Sequence, residues 1–87
     1  MMTTITVYGS HSCPGTIYAL NTLSAKQVGI DYRDITGGMQ ILKEFLKIRD
    51  TEAMFDEVKK IGNVGIPLFI FEDGTRTLDL NEVLEKL

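Results

Sequence analysis

The chain has 87 residues, a net charge of −3 and one cysteine, and 44% of its residues are hydrophobic. This length predicts one domain spanning residues 1–87, and the acidic balance argues against a nucleic-acid-binding module, which needs a basic surface. A single cysteine excludes an internal disulfide and, with a single histidine, cannot fill a structural zinc site.

The N-terminal segment predicts a cytoplasmic protein. It lacks the charged region and the long apolar region of a signal peptide. No apolar run approaches the length of about eighteen residues that a membrane helix needs. We therefore expect neither membrane nor nucleic-acid partners.

The first third of the chain predicts a strand–helix–strand unit. Residues 4–8 are β-branched and aromatic and favour a strand. A helix is predicted over residues 14–27, followed by Gly29, and a second strand over residues 31–35. Such a unit places its two strands parallel with a right-handed crossover.

The remainder predicts helices, a hairpin and a final helix. Apolar residues spaced by three and four between positions 41 and 61 predict two helices, with a capping point at Asp50 and Thr51. Residues 68–71 and 75–78 predict a hairpin around a two-residue Asp73–Gly74 turn. Asp79 and Glu82 match a capping box that begins a C-terminal helix. The order βαβ, helices, ββα predicts an α/β fold with a four-stranded mixed sheet and helices on both faces.

Cys13 carries the main chemical signal. It directly precedes Pro14, and proline is favoured at the first position of a helix. Cys13 is then the N-cap, and its sulfur faces the free amides of Gly15 and Thr16 at the positive end of the helix dipole, which lowers a thiol pKa. We expect the amides to contribute most and the Thr16 hydroxyl a smaller share. A lone cytosolic cysteine is commonly a small buried hydrophobe, but the polar and turn-forming neighbours here favour a reactive thiol.

His11 lies two residues before the cysteine and leaves two interpretations open. It can act as an acid, a base or a charge partner for a thiolate, because histidine titrates near neutral pH. It can equally be a solvated turn residue.

Two motifs give the chain a resemblance to the glutaredoxin-related proteins of the thioredoxin-like superfamily. Residues 8–16 (YGSHSCPGT) correspond to the family's Cys-Pro-x-Cys segment or its monothiol variant, and residues 65–70 (GIPLFI) to the Val-Pro or Ile-Pro before the third strand. The helical residues 42–51 and 55–60 are similar to those of a bacterial subgroup. The resemblance covers nearly the whole chain.

The resemblance implies a thioredoxin-like, glutaredoxin fold and a glutathione site. The resemblance implies that the Ile66–Pro67 bond is cis and faces Cys13. It also implies that the Ile66 backbone pairs with the cysteinyl part of glutathione and that Asp79 and Leu80 contact the γ-glutamyl end. The N-cap role predicted for Asp79 is compatible with that contact. No metal is expected, and the predicted site comprises the catalytic Cys13, the motif residues Pro14, Gly15 and Thr16, and the binding residues His11, Ile66, Pro67, Asp79 and Leu80.

The sequence departs from the family pattern at several positions. Thr16 replaces the second cysteine, and the motif also differs from the Cys-Gly-Phe-Ser sequence of a subgroup that holds iron–sulfur clusters. Ser10 stands where a basic residue often lies, and residues 76–78 replace a Gly-Gly pair. Lys59 and Lys60 either supply the missing positive charge or only complement the dipole of their helix.

The resemblance predicts a monothiol, glutathione-dependent thiol–disulfide oxidoreductase that reduces glutathione mixed disulfides through Cys13. Glutathione is its co-substrate, no cofactor is tightly bound, and its partners are glutathionylated or disulfide-containing proteins. Two alternatives remain open. One is a non-catalytic binding module for glutathione, a peptide or an iron–sulfur cluster, and the other is a redox sensor.

Overall fold

The computed structural model describes residues 3–87, which form four strands and four α-helices. The strands are β1 (Thr4–Gly9), β2 (Gly29–Asp34), β3 (Leu68–Ile70) and β4 (Arg76–Thr77). The helices are α1 (Pro14–Ser24), α2 (Met39–Thr51), α3 (Asp56–Lys60) and α4 (Leu80–Glu85), with a 3₁₀ turn (Ala53–Phe55) before α3. Within the described range, no helix has both the length and the apolar composition that spanning a membrane requires.

The strands form one mixed sheet in the order β2-β1-β3-β4. β1 and β2 are parallel, with Thr4 opposite Gly29 and Gly9 opposite Asp34. β3 is antiparallel to both β1 and β4. The predicted four-stranded mixed sheet is confirmed, although β2 begins two residues earlier and ends one residue earlier than its sequence pattern predicted.

Helices cover both faces of the sheet. Alternate side chains of a strand point to opposite faces, and β1 and β3 carry apolar side chains on both faces, so each face packs against helices. One buried cluster packs β1 and β3 against α1 and α4: Ile5, Val7, Ala19, Leu23, Phe69 and Val83. The other packs the opposite face against α2 and the 3₁₀ turn: Tyr8, Ile35, Phe45, Phe55 and Leu68. β1 is thus held from both sides, and its C-terminal end leads directly to the cysteine motif.

Two helix boundaries differ from the sequence prediction. α1 ends at Ser24, and the chain then passes through Gln27 with a φ of 59°, a left-handed conformation that a helix cannot contain. The predicted cap at Asp50 and Thr51 is wrong. The Thr51 hydroxyl donates back to the Lys47 carbonyl at 2.7 Å, and the extended backbone of Glu52 (φ −97°, ψ 128°) separates α2 from the 3₁₀ turn.

The hairpin between β3 and β4 has a loop of three residues, 72–74, rather than the predicted two. The Phe71 amide donates to the Thr75 carbonyl at 2.8 Å, and the Gly74 amide donates to the Phe71 carbonyl at 2.9 Å. Gly74 has a φ of 90°, as the last position of such a loop requires.

Asp79 caps α4 as predicted. Its carboxylate accepts a hydrogen bond from the Asn81 amide at 2.9 Å. The Asp79 amide donates to Oγ1 of Thr77 at 3.0 Å. In a capping box the Glu82 carboxylate would accept this hydrogen bond, so here the Thr77 hydroxyl replaces it.

Candidate active site

Cys13 lies at the N-cap of α1, with Pro14 as the first helical residue, as predicted. Its backbone is extended (φ −99°, ψ 116°), its amide donates to the Ser10 carbonyl at 3.0 Å, and its carbonyl accepts from the Ile17 amide at 3.1 Å. The residue is half-buried. The thiol is therefore fixed at the end of the helix while remaining open to solvent.

The surroundings of Cys13 lower the pKa of its thiol below the ordinary cysteine value. The largest cause is the hydroxyl of Thr16; burial of the thiol opposes it, and the amides of Thr16 and then Gly15 add smaller effects. The sequence predicted a smaller share for this hydroxyl than for the amides, whereas the hydroxyl is the largest single contribution. The sulfur makes no standard cap hydrogen bond with an amide of the first turn, whereas a hydroxyl donor can rotate toward it.

Thr16 is fully buried, and its hydroxyl is oriented by the backbone before the helix. Its Oγ1 accepts a hydrogen bond from the Ser10 amide at 3.4 Å. Because that amide occupies a lone pair of the oxygen, the hydroxyl proton remains free to point toward the Cys13 sulfur.

Gly9 makes room for Thr16, a role that the sequence reasoning missed. A Cβ on Gly9 would lie 2.4 Å from Cγ2 and 2.6 Å from Oγ1 of Thr16. Contacts this short are not tolerated in proteins, so only glycine at the end of β1 allows Thr16 to pack directly on the strand. The motif contained this glycine, but only the three-dimensional contact shows what it does.

Pro67 lies beside the cysteine motif. The Ile66–Pro67 bond is cis, as the resemblance implied. A Cβ on Gly15 would meet Cδ of Pro67 at 3.7 Å and Sγ of Cys13 at 3.8 Å. The structure thus brings Cys13, Gly15 and Pro67 together, and the absence of a side chain at Gly15 keeps the sulfur accessible from this side.

A groove extends from Pro67 along the surface. Its first cavity, of about 300 Å³, is lined by residues 63–67 with Val58 and Leu78. A second cavity, of about 510 Å³, adjoins it at Leu78 and is lined by Met54, residues 76–79 and Glu82. Ile66, Pro67 and Asp79 therefore line the groove, whereas the half-buried Leu80 packs against the core cluster beneath α1.

His11 is held by Asp34, a residue that the sequence reasoning did not single out. Asp34 Oδ2 accepts from the His11 amide at 3.3 Å and lies 2.8 Å from His11 Nδ1, while Oδ1 accepts from the amide of Thr36 at 2.8 Å. Hydrogen bonds from the Thr36 hydroxyl and then His11 hold the pKa of the Asp34 carboxyl well below its usual range. The His11 side chain is 71% exposed. His11 is thus an exposed turn residue, and Asp34 ties its turn to the end of β2.

Tyr32 contributes a second polar group on β2. Its hydroxyl is buried and has no hydrogen-bond partner within the described part of the chain. Burial is the largest cause that raises the pKa of Tyr32, and the negative charges of Asp34 and the Cys13 thiolate add to it.

Among the described residues, the basic ones near the groove provide no unpaired cation in its lining. Lys59 Nζ lies 3.9 Å from Asp56 Oδ1 on the same helix, and the groove lining includes neither Lys59 nor Lys60. Arg76 lines the second cavity and pairs with Glu52. The placement of both lysines favours a role at the end of their helix. Within residues 3–87, no three His, Cys, Asp or Glu side chains come together as a metal site.

The comparison with known proteins found a relative in Haemophilus influenzae (strain ATCC 51907 / DSM 11121 / KW20 / Rd), described as an uncharacterized protein. It is 31% identical over 77 residues, which span 88% of this chain and 90% of the relative. The chain therefore belongs to the same family as that protein. No family model and no solved structure matches the chain.

Proposed function

We propose that the chain, which belongs to the same family as the Haemophilus influenzae protein, is a glutathione-dependent thiol–disulfide oxidoreductase of the glutaredoxin type. In this proposal the protein has a thioredoxin-like fold and is located in the cytoplasm. The observation that carries the proposal is the placement of Cys13. Its thiol is half-buried at the start of α1 and has a lowered pKa. Cys13 itself lines neither cavity, but only the space beside Gly15 separates its sulfur from Pro67, which lines the first cavity. A thiolate is the nucleophile of disulfide exchange, so this setting favours that chemistry.

The proposed reaction needs one protein cysteine. The Cys13 thiolate attacks the glutathione sulfur of a mixed disulfide, and a bond forms between these two sulfurs. The substrate sulfur leaves as a thiolate with the electron pair of the broken disulfide bond and then takes up a proton from water. The thiolate of a second glutathione attacks the glutathione sulfur on Cys13, which releases glutathione disulfide and restores the Cys13 thiolate. Thr16 occupies the position of a resolving cysteine, so no internal disulfide enters the cycle.

The groove supports recognition of an extended thiol compound. β3 pairs with β1 only from Leu68 onward, so the Ile66 backbone precedes the paired part of the strand and borders the first cavity. An extended ligand pairs with such a backbone through its own amide and carbonyl groups. In this proposal, the Ile66 backbone binds the cysteinyl part of glutathione, and the Asp79 carboxylate in the second cavity meets the cationic amino end.

Turnover of a small glutathione mixed disulfide tests the proposal. Glutathione reductase reduces the glutathione disulfide that forms, and the accompanying oxidation of NADPH measures the rate. We expect a rate proportional to the concentration of the protein and no rate above background with Cys13→Ser. A wild-type rate equal to that of Cys13→Ser contradicts the proposal.

A second candidate function, a non-catalytic glutathione-binding module or redox sensor, is favoured by the charge of the groove. Arg76 is paired with Glu52, while Asp79 and Glu82 line the same cavity. These negative charges disfavour the approach of a second, anionic glutathione, whereas the first is retained by its covalent bond to Cys13. In that case Cys13 forms a stable mixed disulfide with glutathione. Mass spectrometry of the intact protein then shows the adduct persisting in excess glutathione, without turnover.

A further inference from the structure

Arg49 joins the end of α2 to the loop that leads to Pro67. Its Nε donates to the Val64 carbonyl at 2.8 Å, and its Nη2 donates to the Asn63 carbonyl at 2.8 Å. The side chain is only 21% exposed although it lies on a surface helix. Two neighbouring donors of one guanidinium therefore hold two consecutive carbonyls of a segment 14 and 15 residues away in sequence.

We propose that Arg49 is a positioning residue that fixes the wall of the substrate groove, an inference that rests on the proposed function for its catalytic consequence. Asn63 and Val64 begin the stretch of residues 63–67 that lines the first cavity and ends at Pro67. A guanidinium presents its donors in a rigid plane, so it fixes both the position and the orientation of the two carbonyls.

The loop has no regular secondary structure of its own, and a backbone hydrogen bond from the Asn63 amide to the Val58 carbonyl at 2.9 Å ties only its first residue to α3. It passes through left-handed conformations at Gly62 (φ 80°) and Gly65 (φ 96°), and Val64 is 49% exposed. Beyond Val64 the wall rests on the core, because a Cβ on Gly65 would lie 2.8 Å from the ring of Phe55. Arg49 holds the first half of the wall and Phe55 supports the second.

A simpler role for Arg49 makes a different prediction. A positive charge in the last turn of a helix complements the helix dipole, and Nη1 of Arg49 lies 3.7 Å from Asp50 Oδ1. Both effects need only a charge, which lysine also supplies. The two-carbonyl contact needs the guanidinium fork, so Arg49→Lys separates the two roles.

Loss of the fork affects substrate binding and leaves the thiol unchanged. Arg49 contacts the loop, whereas the groups that lower the Cys13 pKa belong to α1. If the wall is ordered only part of the time, the apparent affinity for substrate is the intrinsic affinity multiplied by the fraction of molecules in which the wall is ordered. The KM for a glutathione mixed disulfide therefore rises, while kcat and the rate of Cys13 alkylation stay close to those of the wild type.

The experiment compares Arg49→Lys and Arg49→Met with Lys47→Met, which removes a charge from an exposed position on the same helix. For both Arg49 variants we expect NMR order parameters of residues 62–66 to fall from about 0.85 toward 0.6 or below. We expect KM to rise about tenfold, equivalent to about 1.4 kcal/mol. Lys47→Met keeps the wild-type order parameters and KM.

Unchanged loop order in either Arg49 variant overturns the inference, and so does a KM for Arg49→Lys equal to that of the wild type. If the wild-type protein shows no turnover, the proposed function fails. The order parameters still decide the role of Arg49, because they require no substrate. If Arg49→Met does not fold, Arg49→Lys carries the test alone, since it retains the charge and most of the length of the side chain.

Discussion

Replacing Gly9 by alanine tests the packing that orients the Thr16 hydroxyl. The new Cβ would lie 2.4 Å from Cγ2 and 2.6 Å from Oγ1 of Thr16. Thr16 is fully buried in the first turn of α1, so its side chain has no free space into which it can turn. The substitution forces either the strand or the start of α1 to move.

The expected cost follows from this geometry. Overpacking of a well-packed interior typically costs about 1–3 kcal/mol. Since Gly9 lies in a regular strand, alanine adds no backbone strain, and we expect a loss of about 2 kcal/mol in the free energy of unfolding from the contact alone. For a domain of this size, that loss lowers Tm by roughly 8–16 °C.

A double-mutant cycle with Thr16→Ala isolates the contact. Thr16→Ala removes both atoms that approach within 3 Å and leaves the Thr16 Cβ at 3.1 Å, a separation that small shifts can accommodate. We therefore expect Gly9→Ala to cost less than about 1 kcal/mol in the Thr16→Ala background, a coupling of about 1 kcal/mol or more.

Urea unfolding of the four proteins measures the cycle, with Gly38→Ala as the control. A Cβ on Gly38 has no neighbour within 4 Å, so this second glycine-to-alanine change introduces no clash and carries only the cost of alanine at the N-cap of α2. An equal cost of Gly9→Ala in both backgrounds would refute the argument that Gly9 exists to admit Thr16.

Three further predictions concern the groups around the site. Thr16→Val raises the pKa of Cys13, because the lost hydroxyl is the largest cause that lowers it, and the alkylation midpoint shifts to higher pH; an unchanged midpoint argues against this role. Gly65→Ala costs at least about 2 kcal/mol in urea unfolding, since φ is 96° and the new Cβ meets the Phe55 ring at 2.8 Å; wild-type stability contradicts that. Asp34 has a depressed pKa in the folded state, so its stabilising effect is complete above about pH 4 and is lost as the pH falls further. In urea unfolding, Asp34→Asn is therefore less stable than the wild type at pH 7, and most of the difference persists at pH 3, because the pKa of Asp34 in the folded state lies well below that pH. The difference shrinks progressively below about pH 4, and a difference that does not shrink between about pH 4 and about pH 2 contradicts the linkage.

The sheet and the helix that carries Cys13 could be predicted from local patterns. The β-branched run of β1 and the Cys13–Pro14 pair each specify their conformation within a few residues. The hairpin loop was harder, because Asp73 and Gly74 fit loops of two or three residues equally well. The pairing of Phe69 with Thr77 selects the longer loop, and that pairing is set by packing across the sheet.

The supporting contacts of the site were not predictable in the same way. The sequence placed Cys13 correctly but ranked its neighbours wrongly, because the direction of the Thr16 hydroxyl depends on its contact with the Ser10 amide. Asp34 and Arg49 reach partners 23 and 14–15 residues away. Neither residue belongs to a motif, so nothing in the local pattern indicates where its side chain goes.

The pH dependence of Cys13 alkylation by iodoacetamide tests the central claim most directly. The thiolate is the reacting form, so the midpoint of the rate profile reports the pKa of the thiol in the reduced, folded protein. The lowered pKa predicts a midpoint clearly below the value of about 8.5 for an ordinary cysteine. A midpoint at about 8.5 or above would show an unactivated thiol and would contradict the assignment of Cys13 as the nucleophile.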